Sequence, residues 1–273
     1  MDNKQLIEKG KNLLNGKGYG KAFSDFNIVY PTTTENIKET YALFDLKDKN
    51  VLTVMSSADH VFCALASGVK KIDAFDINYL AEYYYYFKKA LIETYDLEQF
   101  KKILLYSIIP IGLIKSSWYL KLRENLYGKY LDFWDEIINY SLKNKYPINN
   151  LFFNTTFNPR LINYLNKKSY NKLKETLANS DVSFIHSSID DLSNNIKSKY
   201  DYMFLSNISD YVGIHKMKDI SKKKLSKYLN DDGVIVYAYL YYSPLEKMAL
   251  KSDYTVTATI DVNENDHLLT LKK

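Results

Sequence analysis

The chain has 273 residues, of which 46% are hydrophobic, and this length and composition suit one large domain that carries an insertion. Its 37 basic and 32 acidic residues give a net charge of only +5, and just two of the basic residues, Arg123 and Arg160, are arginines. Because arginine is the residue that recognises phosphates and base edges in a bidentate way, we expect no nucleic-acid partner.

The composition also limits the cellular setting. The N-terminus carries no secretory signal, and no stretch approaches the roughly 20 apolar residues of a membrane span. We therefore expect a cytoplasmic protein, with peripheral membrane contact left open. The single cysteine, Cys63, excludes a disulfide within the chain and a thiolate metal site. None of the four histidines stands at metal-ligand spacing from another or from an acid, so we expect no metal.

Residues 1–45 are predicted to form a helical segment ahead of the first strand. Apolar positions among lysines predict a short amphipathic helix over residues 5–15. Thr32 and Glu35 have the spacing of a capping box, which predicts a helix that begins at Thr32 and runs to Leu43.

Residues 51–78 have the pattern of a strand, a turn, a helix and a second strand. The apolar run 51–55 is rich in β-formers and predicts a buried strand, and residues 71–75 predict the next one. Between them lie a polar turn at residues 56–60 and a helix over residues 61–66 that Gly68 ends. Asp76 follows the second strand, 20 positions after Ser56, which is the offset of an acid that accepts from ribose hydroxyls in nucleotide-binding folds.

The turn after the first strand contains no glycine. A turn that cradles a pyrophosphate needs residues with positive φ, and Ser56, Ser57 and Ala58 are not suited to supply three of them. This disfavours a dinucleotide site and favours a ligand without phosphates, such as S-adenosylmethionine.

A long segment then interrupts the alternation of strands and helices. Residues 79–95 predict a helix with a run of tyrosines, and residues 96–181 form an insertion before the third strand. Insertions in α/β enzymes usually shape the substrate site, so we expect a helical cap over the carboxyl edge of the strands. Its aromatic side chains either fill the core of the cap or line an acceptor pocket; they are Trp118, Phe133, Trp134, Phe152, Phe153 and Phe157.

Regular alternation resumes at residue 182. Strands are predicted over residues 182–186, 202–205 and 234–241, with a helix over 217–229 and a turn over 230–233. Residues 255–260 and 268–271 predict a terminal β-hairpin. The predicted fold is a single Rossmann-like α/β domain with a mostly parallel sheet, a terminal antiparallel hairpin and a large helical insertion.

This order of elements resembles the class I S-adenosylmethionine-dependent transferases. Asp76 matches the family's ribose-binding acid, Ser188 and Ile189 match the positions that contact adenine, and residues 230–233 loosely match its turn before the fifth strand. A narrower resemblance, carried by residues 51–78, the tyrosine-rich helix, the insertion and residues 205–211, is to S-adenosylmethionine:diacylglycerol 3-amino-3-carboxypropyl transferases.

The resemblance and the spacing together give a set of candidate site residues. Asp210 is the candidate general base, although a turn-forming aspartate is an equal alternative, and Tyr211 is expected to line the acceptor pocket. Asp59 either pairs with the cofactor's ammonium or favours the helix N-terminus, and His60 either touches the cofactor's carboxylate or is a polar helix-start residue. The predicted cofactor-binding residues are Ser56, Ser57, Asp59, His60, Asp76, Ile77, Ser188, Ile189, Ser206 and Asn207.

Three functions remain open from the sequence. The first is an S-adenosyl-L-methionine-dependent methyl transfer to a small-molecule or lipid-like acceptor. The second is 3-amino-3-carboxypropyl transfer from the same cofactor, which differs only in the carbon that faces the acceptor. The third is a non-catalytic binding protein on a degenerate nucleotide-binding fold, which the missing glycines favour.

Overall fold

A mixed β-sheet forms the centre of the protein. The structure, a computed structural model, describes residues 1–17, 24–108, 116–155, 157–239, 255–260 and 266–272. Within these ranges the sheet has seven strands in the order β3-β2-β1-β4-β5-β7-β6. The strands are β1 (Asn50–Val54), β2 (Lys71–Asp76), β3 (Asp181–His186), β4 (Tyr200–Phe204), β5 (Leu229–Tyr239), β6 (Thr255–Ile260) and β7 (Asp266–Lys272).

The pairing of the strands confirms the predicted fold class. Strands β1 to β5 pair in parallel, whereas β7 pairs antiparallel with both β5 and β6. The chain moves outward from β1 through β2 to β3 and then returns to the other side of β1 with β4. The order therefore reverses between β1 and β4, and such a switch point is where open α/β sheets bind ligands.

Helices cover both faces of the sheet. They are α1 (Asn3–Leu14), α2 (Ile37–Ala42), α3 (Asp59–Ala66), α4 (Tyr79–Thr94), α5 (Leu97–Ile108), α6 (Ser116–Leu122), α7 (Gly128–Asn144), α8 (Lys167–Thr176), α9 (Leu192–Asn195), α10 (Ile208–Val212) and α11 (Ile214–Lys223).

Alternation along the strands sends side chains into two cores. In β1, Val51 belongs to the core shared with α1, α3, α4 and α7, whereas Leu52 belongs to the core shared with α11. In β5, Val234 and Ile235 divide in the same way. Because both faces are buried, these strands appear in the sequence as continuous apolar runs.

The helices of the insertion pack against other helices. Helix α7 packs against α1 and α4, and α8 packs against α3 and α4. Phe133 and Trp134 are fully buried, and the Trp134 indole donates to the Tyr83 carbonyl at 2.9 Å. Of the two roles expected for the aromatic side chains of the insertion, these two have the one in a core.

Several predicted boundaries also change. Within the insertion a 3₁₀ turn separates α6 from α7, and the helix predicted over 217–229 ends as α11 at Lys223. The turn predicted at residues 230–233 lies within β5 as a bulge. There, β5 advances from Leu229 to Val234 while β4 advances only from Tyr200 to Tyr202.

The predicted capping box does not form. Helix α2 begins at Ile37, and the Asn36 side chain caps it by accepting from the Glu39 amide at 3.3 Å. The Thr33 hydroxyl instead accepts from the Glu35 amide at 3.0 Å. This local turn is an alternative to helix for threonine, and it keeps residues 32–35 outside α2.

A buried ion pair connects this loop to the start of α3. Asp59 and Lys88 are both fully buried, and the Lys88 ammonium donates to Asp59 Oδ1 at 2.6 Å. Asp59 also accepts from the Thr33 amide at 2.7 Å, the Ser57 hydroxyl at 3.0 Å and the Tyr164 hydroxyl at 2.5 Å. The carboxylate thus joins the N-terminal loop, the turn after β1 and the insertion.

Lys88 completes this network from α4. Its ammonium donates to the carbonyls of Pro31 at 3.2 Å and Ser57 at 3.0 Å in addition to Asp59. All three of its N–H donors are therefore used, which is the condition under which a buried charge is tolerated.

We expect Lys88→Met to destabilise the protein by about 3–5 kcal/mol, because it leaves the Asp59 carboxylate buried without its cation. Urea unfolding measures the loss. The double variant Asp59→Asn/Lys88→Met should lose less than Lys88→Met alone, since it buries no charge. Lys89→Met, which removes only the pair with Glu93 at 3.3 Å, is the matched control and should cost under about 1 kcal/mol. A loss for Lys88→Met as small as that of the control would contradict this account.

Candidate functional site

A cavity of about 380 Å³ opens at the carboxyl ends of β1, β2, β3 and β4. It lies at the switch point of the sheet and has the volume of a small-molecule site. Its walls come from the loops after these strands, from an N-terminal loop and from one residue of the insertion. The lining residues are Ser24, Asn27, Ile28, Val29, Tyr30, Val54, Ser56, Phe75, Asp76, Ile77, Asn78, Phe153, Ser187, Ser188, Ile189, Asp190, Ser206, Asn207, Ile208, Tyr211 and Val212.

Asp76 forms the acidic wall of the cavity at the end of β2. Its Oδ2 accepts from the Ser56 amide and its Oδ1 from the Asn78 amide, both at 2.9 Å. Burial raises the pKa of Asp76 to about 6, although the backbone donors act in the opposite direction. Each carboxylate oxygen retains acceptor capacity toward the cavity, because one N–H bond uses only one of its lone pairs.

The turn after β1 takes up a glycine-like backbone without glycine. Ser56 has φ 44° and Ala58 has φ 66°, both in the left-handed region. These two positions have the spacing of the first two glycines in a G-x-G turn. Sequence reasoning expected no such conformation here. The Asp76 bond to the Ser56 amide and the buried start of α3 hold the turn in place.

Asn78 holds the N-terminal loop, residues 27–30, at one wall of the cavity. Its side-chain oxygen accepts from the Asn27 amide at 3.1 Å, and its side-chain nitrogen donates to the carbonyls of Asn27 at 2.8 Å and Ile28 at 3.3 Å. This pairing places residues 27–30 against the carboxyl end of β2. No local sequence pattern predicts this pairing, because the two segments are far apart in the chain.

The loop after β3 forms another wall of the cavity. Ser188 and Ile189 line the cavity, as does Asp190. Lys216 donates to Asp190 Oδ2 at 2.6 Å, so this carboxylate is already paired with a cation. On the same side, His186 Nε2 lies 2.6 Å from the Ile77 carbonyl and its ring stacks on Tyr79 with centroids 3.6 Å apart.

The loop after β4 brings a second buried carboxylate close to the cavity. Ser206 lines the cavity with φ 52°, and its hydroxyl donates to Glu35. Glu35 Oε2 lies 3.4 Å from His60 Nε2, and His60 Nδ1 lies 3.1 Å from the Tyr41 hydroxyl. Burial raises the pKa of Tyr41 well above its ordinary value, so its hydroxyl stays protonated. Sequence reasoning treated Glu35 only as a capping residue.

The structure divides the predicted site residues into two groups. Those at the cavity wall are Ser56, Asp76, Ile77, Ser188, Ile189, Ser206, Asn207 and Tyr211. Among the described residues, four predicted members lie outside the lining, namely Ser57, Asp59, His60 and Asp210.

The reasons for these four placements are local contacts. Ser57 and Asp59 bond to each other inside the network around Lys88, and His60 faces Tyr41 and Glu35. Asp210 lies in the first turn of the short helix α10, whose next residue, Tyr211, reaches the lining.

Aromatic side chains border the cavity. The rings of Tyr30 and Phe153 stack with centroids 4.5 Å apart, and Phe153 is 37% exposed. Tyr211 lies on the α10 side and is 47% exposed. Phe152 is buried and packs on Tyr84 with ring centroids 4.9 Å apart. Of these two adjacent phenylalanines, only Phe153 is a cavity residue.

The described part of the chain contains no group of three or more His, Cys, Asp or Glu side chains that could hold a metal ion. None of its helices combines the length and apolar character needed to cross a membrane.

Comparison with known proteins identifies similar folds. No protein-family model matches the sequence, and no curated protein matches it. An rRNA methylase from Streptococcus thermophilus is 10% identical, with 89% of this chain and 98% of that chain covered and a TM-score of 0.41. The rRNA methyltransferase aviRa from Streptomyces viridochromogenes is 8% identical, with 100% and 93% covered and a TM-score of 0.46. SMU.1697c from Streptococcus mutans, solved in complex with SAH, is 12% identical, with 89% and 99% covered and a TM-score of 0.40.

These likenesses concern the fold, which the strand order of the chain itself establishes. They also correct one expectation. The modest net charge and the two arginines predict no nucleic-acid partner, and that prediction is wrong. Two of the three structures are named as rRNA-methylating proteins.

Replacing Ser56 by glycine should stabilise the protein by about 0.5–1 kcal/mol. Relief of the left-handed strain, about 1–2 kcal/mol, exceeds the entropy that glycine adds to the unfolded chain. Ser57→Gly is the matched control and should destabilise, because it removes the hydroxyl that donates to Asp59 at 3.0 Å. Thermal unfolding of the two variants checks the opposite signs. Destabilisation by both changes would contradict the strain at Ser56.

The adjacent phenylalanines should also behave differently. Phe152→Ala should cost about 3 kcal/mol of unfolding free energy, because it empties a buried position. Phe153→Ala should cost about 1 kcal/mol or less, since its ring is partly exposed and loses mainly the stack on Tyr30. Urea unfolding measures both values. Equal losses would place Phe153 in the core instead of at the cavity.

Proposed function

We propose that the chain is an S-adenosyl-L-methionine-dependent transferase, with methyl transfer as its reaction and the cavity beside Asp76 as its cofactor site. One observation carries the proposal. A carboxylate at the end of β2, fixed by two backbone N–H donors, keeps acceptor capacity toward a cavity at the switch point of the sheet. This is the arrangement that accepts from the two hydroxyls of a ribose.

The charge of the lining suits a ligand without phosphates. No lysine, arginine or histidine occurs among the described residues that line the cavity, whereas Asp76 and Asp190 do. Asp190 is paired with Lys216, but a pyrophosphate would meet the Asp76 carboxylate with no cationic side chain in the described lining, which disfavours a dinucleotide. S-adenosyl-L-methionine carries a sulfonium and an ammonium against one carboxylate, so an acidic lining suits it better.

The remaining walls suit an adenosine. Ile77 and Ile189 offer apolar surface on the β2 and β3 side, and Ser188 offers a hydroxyl beside them. Apolar walls with a few polar groups are the usual composition of a small-molecule site. We assign Ser188 and Ile189 to the adenine and Asp76 to the ribose.

When bound, the cofactor supplies an electrophilic carbon on its sulfonium. The residues of the chain have the task of positioning, because the in-line approach of a nucleophile is the main requirement of such a transfer. Tyr30, Phe153 and Tyr211 border the cavity, and we assign them to the acceptor side, where they also limit the access of water. Asp210 is not a member of the proposed site.

A second candidate is 3-amino-3-carboxypropyl transfer, which the sequence of residues 205–211 favours. It would use the same cavity and cofactor. The two reactions differ in their spent cofactor, since methyl transfer leaves S-adenosylhomocysteine and the alternative leaves methylthioadenosine. Mass spectrometry of the spent cofactor after incubation with cell extract distinguishes them. Binding without either product would favour a non-catalytic binding protein.

Titration calorimetry with S-adenosyl-L-methionine tests the proposal. Asp76→Ala should weaken binding at least tenfold at pH 7.5, because hydrogen bonds to a charged group contribute about 1.5–3 kcal/mol each. Circular dichroism establishes that the variant remains folded. Equal affinity of the wild type and a folded Asp76→Ala variant would remove the basis of the assignment.

The pH dependence gives a second measure of the same residue. Because the pKa of Asp76 is about 6, affinity should be constant above pH 7 and fall about tenfold per unit below pH 6, as the carboxylate gains a proton. The stability of the free protein should change in the opposite direction. The pKa of Asp76 in the folded protein lies above the ordinary value of 3.8, so the folded state holds the Asp76 proton more tightly than the unfolded state. The contribution of Asp76 to stability therefore declines as pH rises from about 4 to about 6. Asp76→Asn should remove both effects.

A further inference from the structure

Glu35 is a buried carboxylate for which the described residues provide no lysine or arginine partner. It is 8% exposed, and its only ion-pair contact in the described part of the chain is His60 Nε2 at 3.4 Å. Asp59, the other buried carboxylate in this region, has the Lys88 ammonium at 2.6 Å. The two acids therefore differ in one respect: within the described residues Asp59 has a lysine partner, whereas Glu35 has neither a lysine nor an arginine.

Two side chains of the described residues contact the Glu35 carboxylate, one at each oxygen. His60 Nε2 lies 3.4 Å from Oε2, and His60 Nδ1 lies 3.1 Å from the Tyr41 hydroxyl. Ser206 donates its hydroxyl to Oε1. In the described part of the chain neither a lysine nor an arginine reaches this carboxylate, although burying a carboxylate is costly unless its charge is paired.

Ser206 connects this charge to the cavity. It lines the cavity while its side chain bonds to Glu35, and its backbone holds the unusual φ of 52°. Its hydroxyl proton is used by Glu35, which leaves the oxygen lone pairs as acceptors for a ligand. A ligand group that meets Ser206 therefore meets an acceptor with a carboxylate directly behind it. Such a position favours a cationic donor.

The place of Ser206 in the sheet fits the length of the proposed cofactor. Strand β1 pairs with β2 on one side and with β4 on the other. Asp76 ends β2 and Ser206 follows β4, so the two are about two strand spacings, roughly 10 Å, apart. The turn after β1 lies between them. An elongated nucleoside with its ribose at Asp76 can extend across this turn toward Ser206.

We propose that Ser206 and Glu35 bind the α-ammonium group of the cofactor's amino-acid end, with Ser206 as the contact and Glu35 as the balancing charge. This inference rests on the proposed function, since it assigns one more part of the same ligand. An ammonium group supplies three N–H donors and a positive charge to a carboxylate that has no lysine or arginine partner among the described residues. Glu35 is a positioning residue for Ser206 as well as its source of charge.

Calorimetry with two ligands isolates this group. S-adenosyl-L-homocysteine and methylthioadenosine share the adenosine and a neutral sulfur, and only the first carries the amino-acid end. For the wild type we expect tighter binding of S-adenosyl-L-homocysteine. Glu35→Gln and Ser206→Ala should each reduce that preference about tenfold or more, because a charge-assisted contact is lost. Glu35→Asp, which keeps the charge, should restore part of it.

Asp76→Asn is the matched control for the ribose end. Both ligands contain the ribose, so this change should weaken them by the same factor and leave their ratio unaltered. If Glu35→Gln fails to fold, the ratio for Ser206→Ala decides. An unchanged ratio in a folded Glu35→Gln or Ser206→Ala variant would overturn the inference while leaving the proposed cofactor intact. Failure of the wild type to bind S-adenosyl-L-methionine or either of these ligands would overturn both.

Discussion

The arrangement of the site depends on the buried ion pair between Asp59 and Lys88. A single carboxylate there receives the Lys88 ammonium from α4, the Thr33 amide from the N-terminal loop, and the Tyr164 hydroxyl from the insertion. Three parts of the chain that are distant in sequence are thereby fixed to the turn after β1. A charge pair at 0% exposure is stabilising only when all its hydrogen bonds are made, and here they are made by those three parts. Two residues of the cavity wall, Tyr30 and Ser56, lie next in the chain to residues whose carbonyls accept from Lys88.

Three carboxylates near the strand ends have different roles because their surroundings differ. Asp59 has a lysine, so it is structural. Asp76 has two backbone N–H donors and a raised pKa, and it faces the cavity directly. Within the described residues Glu35 has His60 and Ser206 as partners instead of a lysine, and it reaches the cavity through Ser206. The residue type is nearly the same in all three cases, and the supply of positive charge around each one determines what it can do.

Much of the fold could be predicted from the sequence, because strands buried on both faces leave unbroken apolar runs. The strands around Asp76 and the position of Asp76 itself follow from that pattern, whereas Ser188 and Ile189 at the cavity wall follow from the family resemblance. The contact between Glu35 and Ser206 could not be predicted, since 171 residues separate them and no local pattern links them. The aromatic composition of the insertion could not distinguish a core from a pocket, so both roles stayed open. The sequence left Asp59 between a ligand contact and a helix N-terminus, because its lysine partner, 29 residues later, gives no sequence signal.

The turn after β1 has the left-handed backbone conformation of a glycine-containing turn, although it contains no glycine. Ser56 and Ala58 occupy left-handed conformations at the spacing where nucleotide-binding folds carry glycines. A sequence motif defined by glycines detects the residue type and not the backbone angle φ. In this turn the glycines are absent, but the positive φ values are present. Chains of this kind are therefore passed over by motif searches even when their strand order is regular. Comparison of backbone torsion angles at the first turn would group them with their glycine-bearing counterparts.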